Sequence, residues 1–184
     1  MSEITPIEQV TEQMLTWGRN SALFRLKQRD MSEHELLVAL KRKAVTKFPG
    51  ITEECALSLA QQTVSYCRDL RLLNDSNYAD IKVRSGVSSG KSRRRIEMKL
   101  QEKGVDVEKV STALAEFDDT RAAIIFCRKR ALGPFRRGDA DEARHNRELS
   151  ALARQGFGFE LSRKILNLSY EGANDVLDGH VTLD

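Results

Sequence analysis

Residues 32–45 read Ser32-Glu33-His34-Glu35-Leu36-Leu37-Val38-Ala39-Leu40-Lys41-Arg42-Lys43-Ala44-Val45, and this stretch decides the fold class. The Ser32 hydroxyl can accept from a free N–H in the first turn of a helix, and Glu35, three residues on, can reach back to the Ser32 backbone. Behind this cap Leu36, Leu37, Leu40 and Ala44 recur at three- and four-residue steps, opposite Lys41, Arg42 and Lys43. That spacing predicts an amphipathic helix beginning at Ser32.

The same pattern continues on both sides. After Thr52, which can cap in the same way, Ala56, Leu59, Ala60, Thr63, Cys67 and Leu70 line one face for nearly four turns, and upstream Ala22, Leu23 and Leu26 form a shorter stripe. Together they make a unit of three helices. The unit then repeats: Ser32-x-x-Glu35-Leu36-x-x-x-Leu40-x-x-Lys43-Ala44-Val45 aligns with Ser92-x-x-Arg95-Ile96-x-x-x-Leu100-x-x-Lys103-Gly104-Val105 at an offset of 60 residues. A weaker third copy runs from Leu149 to Phe157 and ends in Arg154-Gln155-Gly156-Phe157. A glycine at such an end can take the left-handed conformation that closes a helix. Val107, Val110, Leu114 and Phe117 supply the third helix of the second unit, and Leu161, Ile165 and Leu168 that of the third.

The opening helices of units two and three are expected from Asp75 to about Ser85 and from Asp119 to about Leu132. The run Ala122-Ala123-Ile124-Ile125-Phe126-Cys127 reads equally as a buried strand by periodicity, but the repeat places a helix there and a lone strand lacks a partner for its backbone. The expectation is an all-α fold of three tandem three-helix repeats in an elongated, curved, solenoid-like arrangement. Its parts are an N-terminal tail (1–15), repeats at 16–73, 74–117 and 118–169, and an acidic, flexible tail (170–184) carrying Glu171, Asp175, Asp178 and Asp184.

The 184 residues carry a formal net charge of +3 with 40% apolar content, enough to bury a core, and no window approaches the roughly 18 apolar residues of a membrane span. The start, Met1 to Met14, holds Glu3, Glu8 and Glu12 and lacks the basic and apolar regions of a secretory signal, so a cytoplasmic protein is expected. Cys55, Cys67 and Cys127 are odd in number and form no C-x-x-C pair, and they read as buried thiols. His34, His145 and His180 sit in polar stretches, and no phosphate loop, G-x-S-x-G elbow or H-E-x-x-H helix occurs. Composition leans away from an enzyme and from any cofactor or metal. Trp17 reads as an edge packing residue, Tyr78 and Phe157 as core, and Asn74-Asp75 as helix caps.

Charge placement carries the functional signal. From Lys82 to Lys103 eight basic residues stand against two acidic ones, a local net of +6, twice that of the whole chain. From Arg128 to Arg147 seven stand against three, for +4. Such a run is commonly a solvated face, and consecutive Arg93, Arg94 and Arg95 cannot share one face, so at least one packs its stem on the core. Arginine forks suit carboxylates and phosphates alike. No helix-turn-helix, zinc knuckle or aromatic RNA-binding strand accompanies them, so contact with nucleic acid would be backbone-directed.

Three stretches stand in order along the chain: Leu70-Arg71-Leu72-Leu73-Asn74-Asp75-Ser76-Asn77-Tyr78-Ala79 with Val83-Arg84; Gly90-Lys91-Ser92-Arg93-Arg94-Arg95-Ile96 through Lys103-Gly104-Val105-Asp106; and Arg154-Gln155-Gly156-Phe157 with Ile165-Leu166. In these the chain, from about Ala22 to Leu168, resembles the RecX family of bacterial regulatory proteins. It departs in a longer connection at Thr46–Ile51, in Arg71 where the family commonly has glycine, and in a longer link from Gly133 to Asp139. The resemblance implies a non-enzymatic monomer that binds the recombinase RecA, chiefly its nucleoprotein filament on single-stranded DNA. It also implies that the protein mainly inhibits ATP hydrolysis, strand exchange and SOS coprotease activity. The expected RecA- and DNA-facing residues are Arg84, Lys91, Arg93, Arg94, Arg95, Lys99, Lys103, Arg128, Arg130, Arg136 and Arg137. Single- and double-stranded DNA would be bound weakly and without sequence specificity. The alternative is a helical module acting directly on DNA phosphates.

Overall fold

The computed structural model describes residues 5–139 and 141–183. Within them the chain forms α1 (Glu12–Gln28), α2 (Glu33–Lys47), α3 (Glu53–Asp69), α4 (Asp75–Ser88), α5 (Arg93–Glu102), α6 (Val107–Ala113), α7 (Asp119–Arg130), a 3-10 turn (Gly133–Phe135), α8 (Glu142–Arg154), α9 (Phe159–Leu166) and α10 (Tyr170–Asp178). No strand occurs among the described residues, and the apolar run Ala122–Cys127 lies inside α7 with Ile124 and Cys127 fully buried. The all-α class and the tandem three-helix order agree with the sequence.

Helix starts follow the polar caps. Ser32 Oγ accepts from Glu35 N at 3.1 Å, Thr52 Oγ1 from Cys55 N at 3.2 Å, and Asn74 Oδ1 from Asn77 N at 3.0 Å. Each bond satisfies a first-turn donor that has no partner inside its helix. At the end of α3 the chain turns through Arg71, at φ 57°, while Leu72 N donates to Cys67 O at 2.9 Å. This is the left-handed helix closure that glycine makes without strain, which explains why an arginine is unusual there.

Both ends of the chain carry helix where the sequence reads as tail. Of the N-terminal tail, residues 1–4 lie outside the described residues, but Ile7 N donates to Gly50 O at 2.8 Å and Thr52 N to Ile7 O at 3.1 Å. α1 starts at Glu12 behind a Thr11 cap, with Met14 buried. The longer connection after α2 is therefore the seat of this segment, where Ile7 and Val10 join Trp17, Phe48 and Ile51 around Met14, Ala44, Ala56 and Leu59. In the stretch 170–184, Tyr170–Asp178 forms α10, and Asp184 lies outside the described residues. Ser169 caps α10, Gly179 closes it at φ 80°, and Ala173, Val176 and Leu177 are buried at i, i+3, i+4 spacing. That short apolar period is overshadowed in the sequence by four carboxylates on the outer side and beyond the helix.

The chain divides into two compact units, Met1–Tyr78 with Glu102–Lys109, and Ala79–Gln101 with Val110–Asp184. The first is cored by Ala22, Met31, Leu36, Leu40, Ala60, Val64, Cys67 and Leu73. The second is cored by Ala122, Ala123, Ile124, Phe126, Leu152, Phe157, Ile165 and Leu166, with the α10 residues completing it. Trp17 stacks edge-on against Phe48, and Tyr78 and Phe157 are buried, as their positions predict.

Candidate functional site

The repeat builds one kind of joint twice, and these joints fix the charged side chains. In the first unit Ser32 is fully buried, and its hydroxyl, besides capping α2, donates to Lys103 O at 2.6 Å. Asp75 Oδ1 accepts from Glu33 N at 2.9 Å, so this residue caps α2 and not its own helix. In the second unit Ser92, also fully buried, caps α5 and donates to Gln155 O at 2.6 Å, while Asp119 Oδ1 accepts from Arg93 N at 2.9 Å. Gly104 and Gly156 close the incoming helices at φ 67° and 91°, and a Cβ on either would stand 2.5 Å from its neighbour, His34 Cβ or Ser92 Oγ.

Charge differs between the joints. Glu35 receives Lys103 Nζ at 2.6 Å, Arg29 at 3.3 Å and the Tyr78 hydroxyl at 3.0 Å. Burial pushes the Glu35 carboxyl up, but the hydrogen bonds from Lys103, Arg29 and Tyr78 outweigh it and hold the group at about 2. Tyr78 is correspondingly raised by burial and by that carboxylate. At the equivalent place in the second unit stands Arg95, whose Nη1 donates to Gln155 Oε1 at 2.9 Å and to Arg154 O at 3.2 Å.

Beside this second joint lies a cluster of cations. Lys91, just before the α5 cap, is half-buried, and burial first, then the charges of Lys99, Arg95 and Lys82, push its pKa down. Lys91, Arg95 and Lys99 follow one another at four-residue steps, and Lys82 comes from α4. Like charges are gathered this way, and Lys91 makes no ion pair among the described residues. Nucleophilic chemistry has little material. Burial raises the thiols of Cys55 and Cys67, and burial with the Glu148 charge takes Cys127 up to about 12, so none is a thiolate near neutrality. Among the described residues no three His, Cys, Asp or Glu side chains gather as metal ligands, and no helix is long and apolar enough to cross a membrane.

Residues 74–114 match the family model described as the RecX second three-helix domain. A regulatory protein RecX of Agrobacterium fabrum is 47% identical over 167 residues, which covers 91% of this chain and 91% of the relative. The chain belongs to the RecX family. A regulatory protein RecX of Myxococcus xanthus is 38% identical over 160 residues, covering 83% and 85% of the two chains. The crystal structure of RecX from Lactobacillus salivarius shares the fold, with a TM-score of 0.63 at 20% identity over 91% of this chain and 99% of that one.

Within this RecX fold the basic residues read from sequence part into three groups. Lys91, Arg95 and Lys99 come together with Lys82, which local charge alone does not single out because the α4–α5 crossing is a tertiary feature. Arg84, Arg94, Arg128, Arg130 and Arg137 are exposed and make no side-chain hydrogen bond or ion pair with described residues. The rest are engaged inside the protein. Arg93 Nη1 donates to Leu114 O at 2.6 Å, and Arg136 Nη2 pairs at 2.8 Å with Glu148, itself 4% exposed and also held by Gly133 N at 3.1 Å. Lys103, in the first unit, is the partner of Glu35.

Proposed function

We propose that this chain is a non-enzymatic, cytoplasmic regulator that binds RecA, chiefly as its nucleoprotein filament on single-stranded DNA. In this reading it depresses ATP hydrolysis, strand exchange and filament-assisted self-cleavage of the SOS repressor, and it acts as a monomer without a cofactor. Membership of the RecX family supports the class of function. The observation that carries the contact is the gathering of Lys82, Lys91, Arg95 and Lys99, whose charges act on one another at Lys91. A partner bearing carboxylates or phosphates relieves that repulsion on binding, so association is steered and salt-sensitive. The exposed Arg84, Arg94, Arg128, Arg130 and Arg137 extend the contact.

Direct action on DNA phosphates is the second reading, since the same cations suit a backbone without reading bases. Single-stranded-DNA-dependent ATP hydrolysis by RecA, measured while this protein is titrated at fixed moderate salt with bare-DNA binding in parallel, separates the two. Inhibition well below one protein per recombinase subunit, with weak binding to bare DNA, is the expected outcome. Inhibition only once the DNA is coated overturns the filament reading in favour of competition for phosphates.

A further inference from the structure

The second unit holds a cavity of about 510 Å³ between α4 and the link from α6 to α7. Its apolar lining is Val83 and Val87 from α4, Ala113 at the end of α6, and Phe117, a half-buried ring packed on the core of this unit. Four charged side chains also line it, and two of them are committed to the fold. Asp118 Oδ1 accepts from Thr120 N at 2.8 Å to start α7, and Arg121 Nη1 donates to Leu177 O at 2.5 Å. The other two, Arg84 on α4 and Glu116 in the link, are exposed and make no hydrogen bond or ion pair with a described residue. A further cation stands at the edge of the cavity, where Lys129 Nζ donates at 2.8 Å to the carbonyl of Ser88, itself a lining residue.

We infer that this cavity seats one unpaired base of single-stranded DNA. A base offers flat apolar faces, which the Phe117 ring and the aliphatic wall of Val83 and Val87 receive by stacking and van der Waals contact. Its phosphate is an anion, for which Arg84 and Lys129 stand on the α4 side. Its edge meets Glu116, a carboxylate that accepts from the exocyclic amine of cytosine and is repelled by the carbonyl oxygen that thymine carries in that place. A peptide side chain answers the apolar wall and one of the charges, whereas a nucleotide carries ring, amine and anion in a single residue and answers all three. A base stacked inside a duplex does not enter, so the seat selects single strands. It adds one base contact to the backbone-directed binding expected of the surrounding cations, and it stands on the cavity alone, whether or not RecA is the partner.

The test is fluorescence anisotropy of short labelled strands of equal length, made of deoxycytidine, of thymidine or of abasic sugar-phosphate, titrated with the full chain at fixed low salt and without RecA. The cytosine strand is expected to bind about fivefold or more tighter than the abasic strand of the same charge, and about threefold tighter than the thymine strand. Phe117→Leu, which keeps an apolar side chain against the core, should bring the cytosine strand to within about twofold of the abasic one. Ala113→Leu narrows the cavity from the end of α6 and should do the same, so a loss of stability in one variant leaves the other to decide. Glu116→Ala should remove the preference for cytosine over thymine and keep that over the abasic strand, while Arg84→Gln should weaken all three by about twofold. Equal binding of cytosine and abasic strands by the parent, or a base preference that survives both Phe117→Leu and Ala113→Leu, overturns the inference. Binding of a short acidic aromatic peptide that Phe117→Leu abolishes, with base and abasic strands bound alike, overturns it in favour of a peptide groove. With RecA absent from the assay, either failure leaves the filament reading standing.

Discussion

The joints at Ser32 and Ser92 share a backbone plan and differ in electrostatics. Both use a buried serine that caps its own helix and binds the carbonyl before an incoming glycine, and both receive an aspartate from the opening helix of the following repeat. The first then gathers its cations around one carboxylate, Glu35, whereas the second puts Arg95 in that place, bonded to Gln155 and Arg154 O, with its charge acting on Lys91. Opposite charges meet at one joint, and like charges gather at the other. The lesson is that a repeat can keep its structural contacts constant while its electrostatics diverge, and on the function proposed above binding falls to the second copy.

The largest effects are expected where the shared plan is broken. Gly156→Ala forces a left-handed alanine and drives its Cβ onto the Ser92 hydroxyl, so it should destabilise by about 3 kcal/mol in urea denaturation, with Gly104→Ala close behind. Similar losses at both positions would uphold the common plan, and a loss at one alone would break it. Next comes the carboxylate. Glu35→Gln should cost about 2 kcal/mol at pH 7, against about 1 kcal/mol for Arg95→Gln.

The pH dependence sharpens this second contrast. Glu35 is depressed in the folded state to about 2 from an ordinary 4.5, so its contribution is present above 4.5 and is lost as pH falls towards 2. The stability gap between parent and Glu35→Gln should therefore shrink on acidification over that window, while the gap for Arg95→Gln gains no such slope from Glu35. Thermal denaturation at stepped pH checks both. The smallest effect lies at Arg71, where replacement by glycine should stabilise by about 0.5 kcal/mol, the strain removed at φ 57° less the entropy glycine costs.

The helical class and most helix starts were legible because caps and apolar steps are local. Ser32, Thr52 and the offset to Ser92 announce themselves within a few residues. The chain ends were not, since the seat of Ile7 depends on a connection more than forty residues away and α10 hides three apolar positions among carboxylates. For the basic surface, the block from Lys82 to Lys103 was visible as charge, but its division was not. Whether an arginine meets Leu114 O, as Arg93 does, or the charge of Lys91, as Arg95 does, depends on helix crossings that no local pattern encodes. Asp75 likewise looked like a cap for its own helix and serves another.

The most direct test of the assignment of binding to the second joint is the affinity of RecA filaments on single-stranded DNA for the parent chain and for the double variant Lys91→Glu, Lys99→Glu. Helical content and urea midpoint are checked first, and the comparison is made at fixed moderate salt. Weakening of about tenfold or more, together with a shallower salt dependence, is the predicted result. A folded double variant that binds filaments as the parent does would contradict it.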